Sequence, residues 1–514
     1  MTQPTTLQLL LSGGEDGAVA LAGPSLTPLT FAGLRAQIAG TIEALNAVGM
    51  GRDDRVAIVL PNGPAMATAF LGIAAGATAA PLNPAYREDE FAFYLSDLKA
   101  RALIIEAGAD SPAVAVAMRL NIPIIALRTA DERAAGAFTL DLKTLPSGSP
   151  QRRGFGAADD IALVLHTSGT TSRPKIVPLS QRNLCASAGN IGQTLRFTPA
   201  DRGLCVMPLF HIHGLIAGVL APLAAGSSVF CTPGFNAFRV FSWLEEARAT
   251  WFTAVPTMHQ AILARAPGKA AIIDANRLRF IRSSSASLPP RVLAQLEAAF
   301  GAPIIESYGM TEAAHQMASN PLPPAVRKPG SVGLAAGPEI AIMGEGGALL
   351  GPGETGEIVI RGDNVTGGYE NNPEANREAF ADGWFRTGDQ GLLDADGYLS
   401  ITGRLKEIIN RGGEKISPRE VDEALMDHPA VHQAVTFAVP HDKLGEEVGA
   451  AVVLREGMSV SERELRDFVH ARLADFKTPR QILFVTEIPK GATGKLQRIG
   501  LAEKLGLAGG SPPR

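Results

Sequence analysis

The stretch LHTSGTTSRPK, residues 165–175, constrains this chain more than any other. It follows directly on the apolar run Ile161-Ala162-Leu163-Val164-Leu165, and eight of its eleven residues are hydroxyl-bearing, glycine or cationic. The apolar run predicts a buried strand, and a small-residue loop at its end exposes several backbone N–H groups and hydroxyls at one point. With Lys175 beside it, such a loop is a concave anion site suited to a triphosphate. The Walker spacing G-x-x-x-x-G-K-[ST] is absent, so the site is of another kind. Alone, the same residues equally suit an ordinary flexible turn, and motifs further along must decide.

A chain of 514 residues exceeds what one simple core supports, which predicts two or more domains. A hydrophobic fraction of 46% with 19% charged residues excludes a disordered chain. The net charge of −4 supplies no field that draws the whole chain to nucleic acid. The Ala- and Gly-rich run 66–80 is interrupted by Gly72 and Gly76 and ends at Pro81, short of a membrane span. Cys185, Cys205 and Cys231 show neither metal-ligand nor C-x-x-C spacing, and three cannot all pair within one chain. Reduced, structural thiols are expected. The start MTQPTTLQLLLSGGEDG lacks a basic segment and a long apolar core, and the ending SPPR is no peroxisomal address. A cytoplasmic protein without a secretory leader is expected.

Strand-like and helical runs alternate over residues 1–160, with a helix at 29–47, strands at 55–60 and 102–106, and a packed helix at 66–75. The alternation continues to about residue 340. Strands are expected near 204–207, 228–231, 251–255, 279–281 and 304–306, and a helix follows Pro289-Pro290. This is the pattern of an α/β protein with a parallel sheet covered on both faces. From Glu339 the texture changes to short alternating segments such as 356–361, read as antiparallel strands. A boundary is expected at 403/404, followed by a compact βαβ-like unit. Its first helix is expected to start with a capping box of Ser417, Pro418 and Glu420.

Four further segments carry chemistry. Ser307-Tyr308-Gly309-Met310-Thr311-Glu312 puts a flat ring, a hydroxyl and a carboxylate within a few residues, suited to adenine, phosphate and Mg²⁺. Trp384-Phe385-Arg386-Thr387-Gly388-Asp389 places a carboxylate in a glycine-bearing turn, suited to ribose hydroxyls. Gly403-Arg404 adds a cation, and Lys495 lies in a Gly-rich segment beginning at Pro489. Each alone suits a solvated turn, but their order along one chain is distinctive.

With these motifs the chain resembles the adenylate-forming superfamily of acyl-CoA synthetases, luciferases and peptide-synthetase adenylation domains, over about residues 29–498. The resemblance implies a large N-terminal domain of layered αβ subdomains (1–403) and a small mobile α+β C-terminal domain (404–514). It implies a two-step reaction in which a carboxylate and ATP give an acyl-adenylate and pyrophosphate, after which the thiol of coenzyme A displaces AMP. It further implies that Thr167, Ser168, Gly169, Thr170, Thr171 and Lys175 hold the β- and γ-phosphates, Tyr308 stacks on adenine, Thr311 touches the α-phosphate and Glu312 holds Mg²⁺. By the same resemblance Asp389 and Arg404 bind ribose and Lys495 is the adenylation lysine. Lys406 is the hinge, and Gly412 and Gly413 approach the pantetheine chain.

Two positions depart from the superfamily's pattern. Ser172 stands where glycine is frequent, and Ile176 stands where glycine almost always follows the loop lysine. A β-branched residue disfavours positive φ and adds bulk beside the phosphates. An altered loop is therefore expected, with Ile176→Gly improving ATP turnover.

Segments around the expected acyl pocket hold several histidines and serines where a fatty-acid tunnel needs apolar residues. They include 208–214, 254–260, 281–287 and 313–317. Such groups suit a short acid with a second polar group, because a buried second carboxylate demands donors. If residues 312–315 turn helically, Glu312 and His315 project to one side. Together with 319–324 and 328–333, these segments closely resemble those of oxalate–CoA ligases. That implies oxalate as the acid, Ser283, Ser285 and His315 at its distal carboxylate, His259 in support and His211 as a gate. His259 equally suits a core packing position, His213 a structural one, and the serines a cap on their strand. Alternatives are a ligase for malonate or a fatty acid, a stand-alone protein that loads a carrier, and a non-catalytic nucleotide-binding relative. Small-molecule substrates only are expected, with neither nucleic acid nor membrane as a partner.

Overall fold

Short strands separated by helices cannot pair through tight turns, so they pair in parallel, each helix packing back on the sheet. The computed structural model, which describes residues 4–129, 134–167, 174–489 and 498–507, has two such sheets in its first unit. Contacts divide the chain into one unit of Met1–Ile340 with Ile360–Phe385 and another of Ala341–Val359 with Arg386–Arg514. The strands 341–359 and the chain from Arg386 thus cluster with the C-terminal part, a different partition from a single cut at 403/404.

In the first unit a seven-stranded sheet runs in the order Thr139–Asp141, Ile124–Arg128, Ala102–Glu106, Arg55–Val59, Thr78–Pro81, Ile161–Thr167, Lys175–Ser180. Its interior pairs are parallel. A nine-stranded sheet has a parallel centre made of Val19–Ala22, Ser228–Cys231, Arg202–Cys205, Trp251–Ala254, Phe280–Ser283 and Ile304–Met310. His315–Ser319 and Leu334–Ala335 extend it antiparallel at one edge. The helix Pro64–Gly76 is apolar on every side and accordingly buried along nearly its whole length. It belongs to one apolar cluster that reaches from Ile58 and Leu163 of the first sheet to Trp251 and Phe280 of the second. No helix among the described residues is long and apolar enough to cross a membrane.

The helices and strands expected at 29–47, 55–60, 66–75, 102–106, 228–231 and after Pro289 are present, as Phe31–Ala47, Arg55–Val59, Pro64–Gly76, Ala102–Glu106, Ser228–Cys231 and Pro290–Phe300. The strand expected at 304–306 runs on to Met310, so Tyr308 is a strand residue rather than part of a following loop. All three cysteines are buried free thiols.

In the second unit the hairpin Val431–His441 with Gly445–Leu454 is antiparallel, and Gln481–Phe484 joins it in parallel after the helix Glu462–His470. That crossover is the βαβ element expected there. The capping box at Ser417 is absent. The Ser417 hydroxyl donates to the Thr402 carbonyl and makes no bond to the helix, while Glu420 pairs with Lys477 at 2.7 Å. Both capping groups have stronger partners outside the helix.

Ile176 also corrects an expectation. It lies in the strand Lys175–Ser180, paired with His166, and its φ is not positive. Its side chain is buried among Phe91, Leu95 and Val164, away from any need for glycine, and its carbonyl accepts the Glu370 N–H at 3.1 Å. Ile176→Gly is therefore expected to remove about 3–5 kcal/mol from the first unit, combining a cavity with a flexible strand residue. A lowered midpoint in urea denaturation, with no gain in ATP turnover, is the outcome to measure.

Candidate active site

The strand Ile304–Met310 delivers Tyr308 near its C-terminal end, 8% exposed, and the chain then reverses. Thr311–Ala313 forms a single 3-10 turn, and Ala314 and His315 take positive φ of 46° and 107° before the strand His315–Ser319 returns. The register slips between Tyr308 and Gly309 as the two strands close. A Cβ on Gly309 would sit 1.8 Å from the His315 carbonyl oxygen, so only glycine lets the backbones meet. The reversal corrects the expectation that Glu312 and His315 share one side of a helical turn. Glu312 stays in the turn, 6% exposed, while His315 opens the returning strand, 2% exposed.

Asn364 Nδ2 braces that turn by donating to the carbonyls of Ala313 (2.9 Å) and Gln316 (3.0 Å), and the Thr366 N–H donates to the Glu312 carbonyl at 2.7 Å. The same segment brings in Tyr369, which sequence reasoning missed. Its hydroxyl donates to Glu312 Oε1 at 2.9 Å, and its ring lies 4.4 Å from Lys175 Nζ. Burial and the Glu312 carboxylate hold the phenol well above its ordinary pKa, so it stays a donor. Lys175 itself sits opposite Thr167 across a strand pair. One tyrosine thus joins the loop lysine to the candidate metal carboxylate. Ser168, Gly169, Thr170, Thr171 and Ser172 lie outside the described residues, as does Lys495.

A second polar group lies on one face of the parallel sheet. Thr253 and Arg282 are register partners on adjacent strands, so their side chains share a face. Arg282 is fully enclosed and donates to Gln316 Oε1 at 3.1 Å. His213 begins a π-helical segment, His213–Leu220, a geometry that often marks functional positions. Its Nε2 meets Thr253 Oγ1 at 2.7 Å and its Nδ1 meets Ser285 Oγ at 3.0 Å. The His213 and His315 rings touch edge to face, centroids 4.8 Å apart. Ser285 is held at φ 73°, strained for a residue with a side chain.

The structure therefore brings Ser285 and His315 together, with His213 rather than Ser283 between them. Ser283 follows Arg282 in the strand and turns to the opposite face, where its hydroxyl is buried without a hydrogen-bond partner. His211 is half-buried beside His213, whose N–H lies 3.4 Å from its Nδ1. His259 occupies a packing position: fully enclosed against Phe252, it donates from Nε2 to the Arg282 carbonyl at 3.2 Å. Its burial pushes the imidazole pKa down to about 4. The sequence offered little signal for Arg282, because Arg277 and Arg279 flank the same short strand and nothing local sets the three apart.

In the second unit Asp389 lies within the strand Trp384–Leu393, not in a turn. It faces Arg404 across an antiparallel pair, with the Arg404 Nε at 3.1 Å from its Oδ1. Glu357 anchors that strand through Arg386 and the Gly388 N–H (3.0 Å). Lys406 follows Leu405, whose N–H donates to the Gly388 carbonyl at 2.9 Å. Gly412 and Gly413 form the turn between Ile409–Arg411 and Glu414–Ile416 at φ 61° and 98°. A Cβ at Gly413 meets nothing, so backbone conformation and not space demands glycine there.

Among the described residues no three His, Cys, Asp or Glu side chains gather as a metal cage. A single oriented carboxylate such as Glu312 fits Mg²⁺, which usually takes most of its ligands from water and phosphate oxygens.

Tyr308 at the C-terminal end of a parallel strand, Glu312 in the turn after it and Lys175 joined to Glu312 through Tyr369 form one polar cluster. The chain belongs to the AMP-binding enzyme family: that family's model matches residues 14–370, and the AMP-binding enzyme C-terminal domain matches 420–495. It is 48% identical to an oxalate–CoA ligase of Arabidopsis thaliana over 455 residues, covering 88% of each chain. It is 42% identical to an oxalate–CoA ligase of Saccharomyces cerevisiae, covering 88% of this chain and 87% of that one. Among solved structures, ATP-bound MatB from Rhodopseudomonas palustris superposes with a TM-score of 0.87 at 29% identity, covering 98% of this chain and 99% of the other.

Two predictions follow from this geometry. A hydrogen bond to a charged group contributes about 1.5–3 kcal/mol. Tyr369→Phe is thus expected to lower kcat/KM for ATP by roughly tenfold to a hundredfold and to raise the Mg²⁺ concentration needed for half-maximal rate. The second concerns acid. Below pH 6.5 the unfolded chain binds a proton at His259 that the folded chain refuses until about pH 4. Stability therefore falls as pH drops through that window, by about 3 kcal/mol. Urea midpoints at pH 7 and 4.5 should differ less in His259→Leu than in the parent.

Proposed function

We propose that the chain is an ATP-dependent oxalate–CoA ligase that forms oxalyl-CoA, AMP and pyrophosphate through oxalyl-adenylate. The observation that carries this reading is the polar group of His213, Ser285 and His315 beside a buried cation. Donors of that kind suit the second carboxylate of a small diacid and penalise an alkyl tail, which leaves them unpaired. The names of the 48% and 42% identical relatives support the same acid.

In this reading residues 167–171 and Lys175 hold the β- and γ-phosphates, Tyr308 lies against adenine, and Thr311 meets the α-phosphate. Asp389 and Arg404 take the ribose hydroxyls. Glu312 holds Mg²⁺, which supplies charge neutralisation at the phosphates when bound. The acid's reactive carboxylate oxygen forms a bond to the α-phosphorus as the bond to pyrophosphate breaks. Both reactants are anionic, so Lys495 is assigned to lie between them. In the second step the thiol sulfur of coenzyme A bonds to the acyl carbon, AMP leaves, and the thiol proton passes to solvent. His211 guards the acyl pocket, and His259 supports the strand carrying Arg282. The segment from residue 404 is assigned as a mobile domain that turns at Lys406, withdrawing Lys495 and presenting Gly412 and Gly413 to pantetheine. A cytoplasmic location suits these soluble substrates.

ATP–pyrophosphate exchange with oxalate, malonate and octanoate tests the acid. Oxalate is expected to dominate, and preference for either of the others overturns the assignment. Acyl transfer to a carrier protein but none to free coenzyme A would instead indicate a loading protein. Lys495→Ala is expected to abolish adenylate formation while thioester formation from supplied acyl-AMP persists. Equal losses in the two half-reactions count against one domain serving both in turn.

A further inference from the structure

Arg282 is a full positive charge with no exposed surface, and no carboxylate among the described residues pairs with it. Its Nη2 donates to Gln316, its Nη1 faces His213 Nε2 at 3.5 Å, and its Nε has no hydrogen-bond partner. Burial pulls its pKa down to about 9, which leaves it cationic at neutral pH. An ion kept in this way costs stability, and a methionine of similar length would avoid that cost.

The consequence lies in His213. A guanidinium has donors only, so an N–H on His213 Nε2 would point donor at donor. Nε2 therefore keeps its lone pair, accepting from the Thr253 hydroxyl at 2.7 Å, with the guanidinium beyond. The neutral ring then carries its proton on Nδ1, which donates to Ser285 Oγ at 3.0 Å. A hydroxyl that has accepted one bond still has its own proton to give. Ser285 is half-buried and pinned at φ 73°, so the direction of that remaining donor is set by the backbone as well as by His213.

We propose that Arg282 is a positioning residue for acid selection, acting through His213 to make the Ser285 hydroxyl a fixed donor to a second, anionic group on the acid. Its positive charge adds a field favouring that anion over a neutral group of equal size. The inference deepens the oxalate reading, on which it rests for the identity of the acid alone.

Two measurements test it. The first uses the unaltered protein with ¹⁵N-labelled histidine, the His213 signals being assigned by their loss in His213→Gln. A ring protonated on Nδ1 alone is expected, and a proton on Nε2, alone or with Nδ1, overturns the proposal. The second compares oxalate with oxamate, in which a neutral amide replaces one carboxylate. In Arg282→Met the oxalate KM is expected to rise about tenfold or more, the loss of one charge-assisted donor. The ATP KM and the kcat should stay within about twofold, a split that separates a binding role from a general loss of structure. The preference for oxalate over oxamate should shrink, the melting temperature should not fall, and Arg282→Lys should recover part of the preference. Equal losses for both acids, or a parallel rise in the ATP KM, overturn the proposal. Should Arg282→Met fail to fold, the histidine spectrum of the parent still decides. An enzyme that ignores oxalate yet shows the Nδ1–H ring would sink the assigned acid and leave the tautomer standing.

Discussion

The contact between Gly309 and the His315 carbonyl is the constraint on which the site of the first unit depends. Two backbones meet there more closely than any side chain permits. The meeting forces the slip in register after Tyr308, the 3-10 turn that holds Glu312, and the two positive φ angles that swing His315 back. A conventional hairpin would put Tyr308, Glu312 and His315 along one ribbon. The slipped one sends Glu312 to the Tyr369 hydroxyl and His315 to the His213 ring, two separate polar environments reached from positions three residues apart. The two polar clusters, proposed here for nucleotide and for acid, are thereby separated by backbone geometry before any side chain is chosen.

The two environments also treat charge differently. At Glu312 a neutral donor, the Tyr369 hydroxyl, meets the carboxylate, and Lys175 lies against the ring of the same tyrosine. A direct ion pair between Lys175 and Glu312 would satisfy both and leave neither for a ligand. Tyrosine keeps them oriented and separate. At Arg282 the opposite holds: a cation is buried with neutral partners, an arrangement that stability alone disfavours. Sheets of this kind carry such strain at the ends of their central strands because the rest of the layer, here Trp251, Phe280 and Ile305, is apolar and rigid.

Much of this was legible before the structure. Short runs rich in apolar residues marked the central strands, and Tyr308, Thr311 and Glu312 were singled out by chemistry and spacing. What escaped were partnerships across long stretches of chain. Tyr369 is 57 residues from Glu312, and Arg282 is 69 from His213, and periodicity reports neither. His213 read as structural because a histidine in an apolar run is usually a satisfied core residue, and only its neighbours give it a role. Local rules failed where tertiary partners were stronger: Ser417 and Glu420 spell a capping box, but Thr402 and Lys477 take their hydrogen bonds. Ile176 misled in the same way. Glycine beside a phosphate loop suggests a conformational demand, yet an extended strand makes none, and the side chain finds a core.

In the second unit the residues on both sides of 490–497, the stretch that holds the proposed adenylation lysine, are firmly anchored. Immediately before residues 490–497, Ile488 is fully buried with Val435 and Phe437. Immediately after them, Arg498 donates to the Thr436 carbonyl at 2.9 Å and pairs with Asp422 at 2.6 Å and Glu407 at 3.3 Å. Asp422 in turn accepts from the Thr436 N–H. Both ends of the segment are therefore tied to one strand, Val431–His441, and one helix, Pro418–Met426. Glu407 follows the assigned hinge residue directly, so the same arginine links hinge and lysine segment through a pair of buried or half-buried carboxylates. Every one of these partners lies on the C-terminal side of Lys406, so under the proposed hinge there the lysine segment would turn together with its supporting strand.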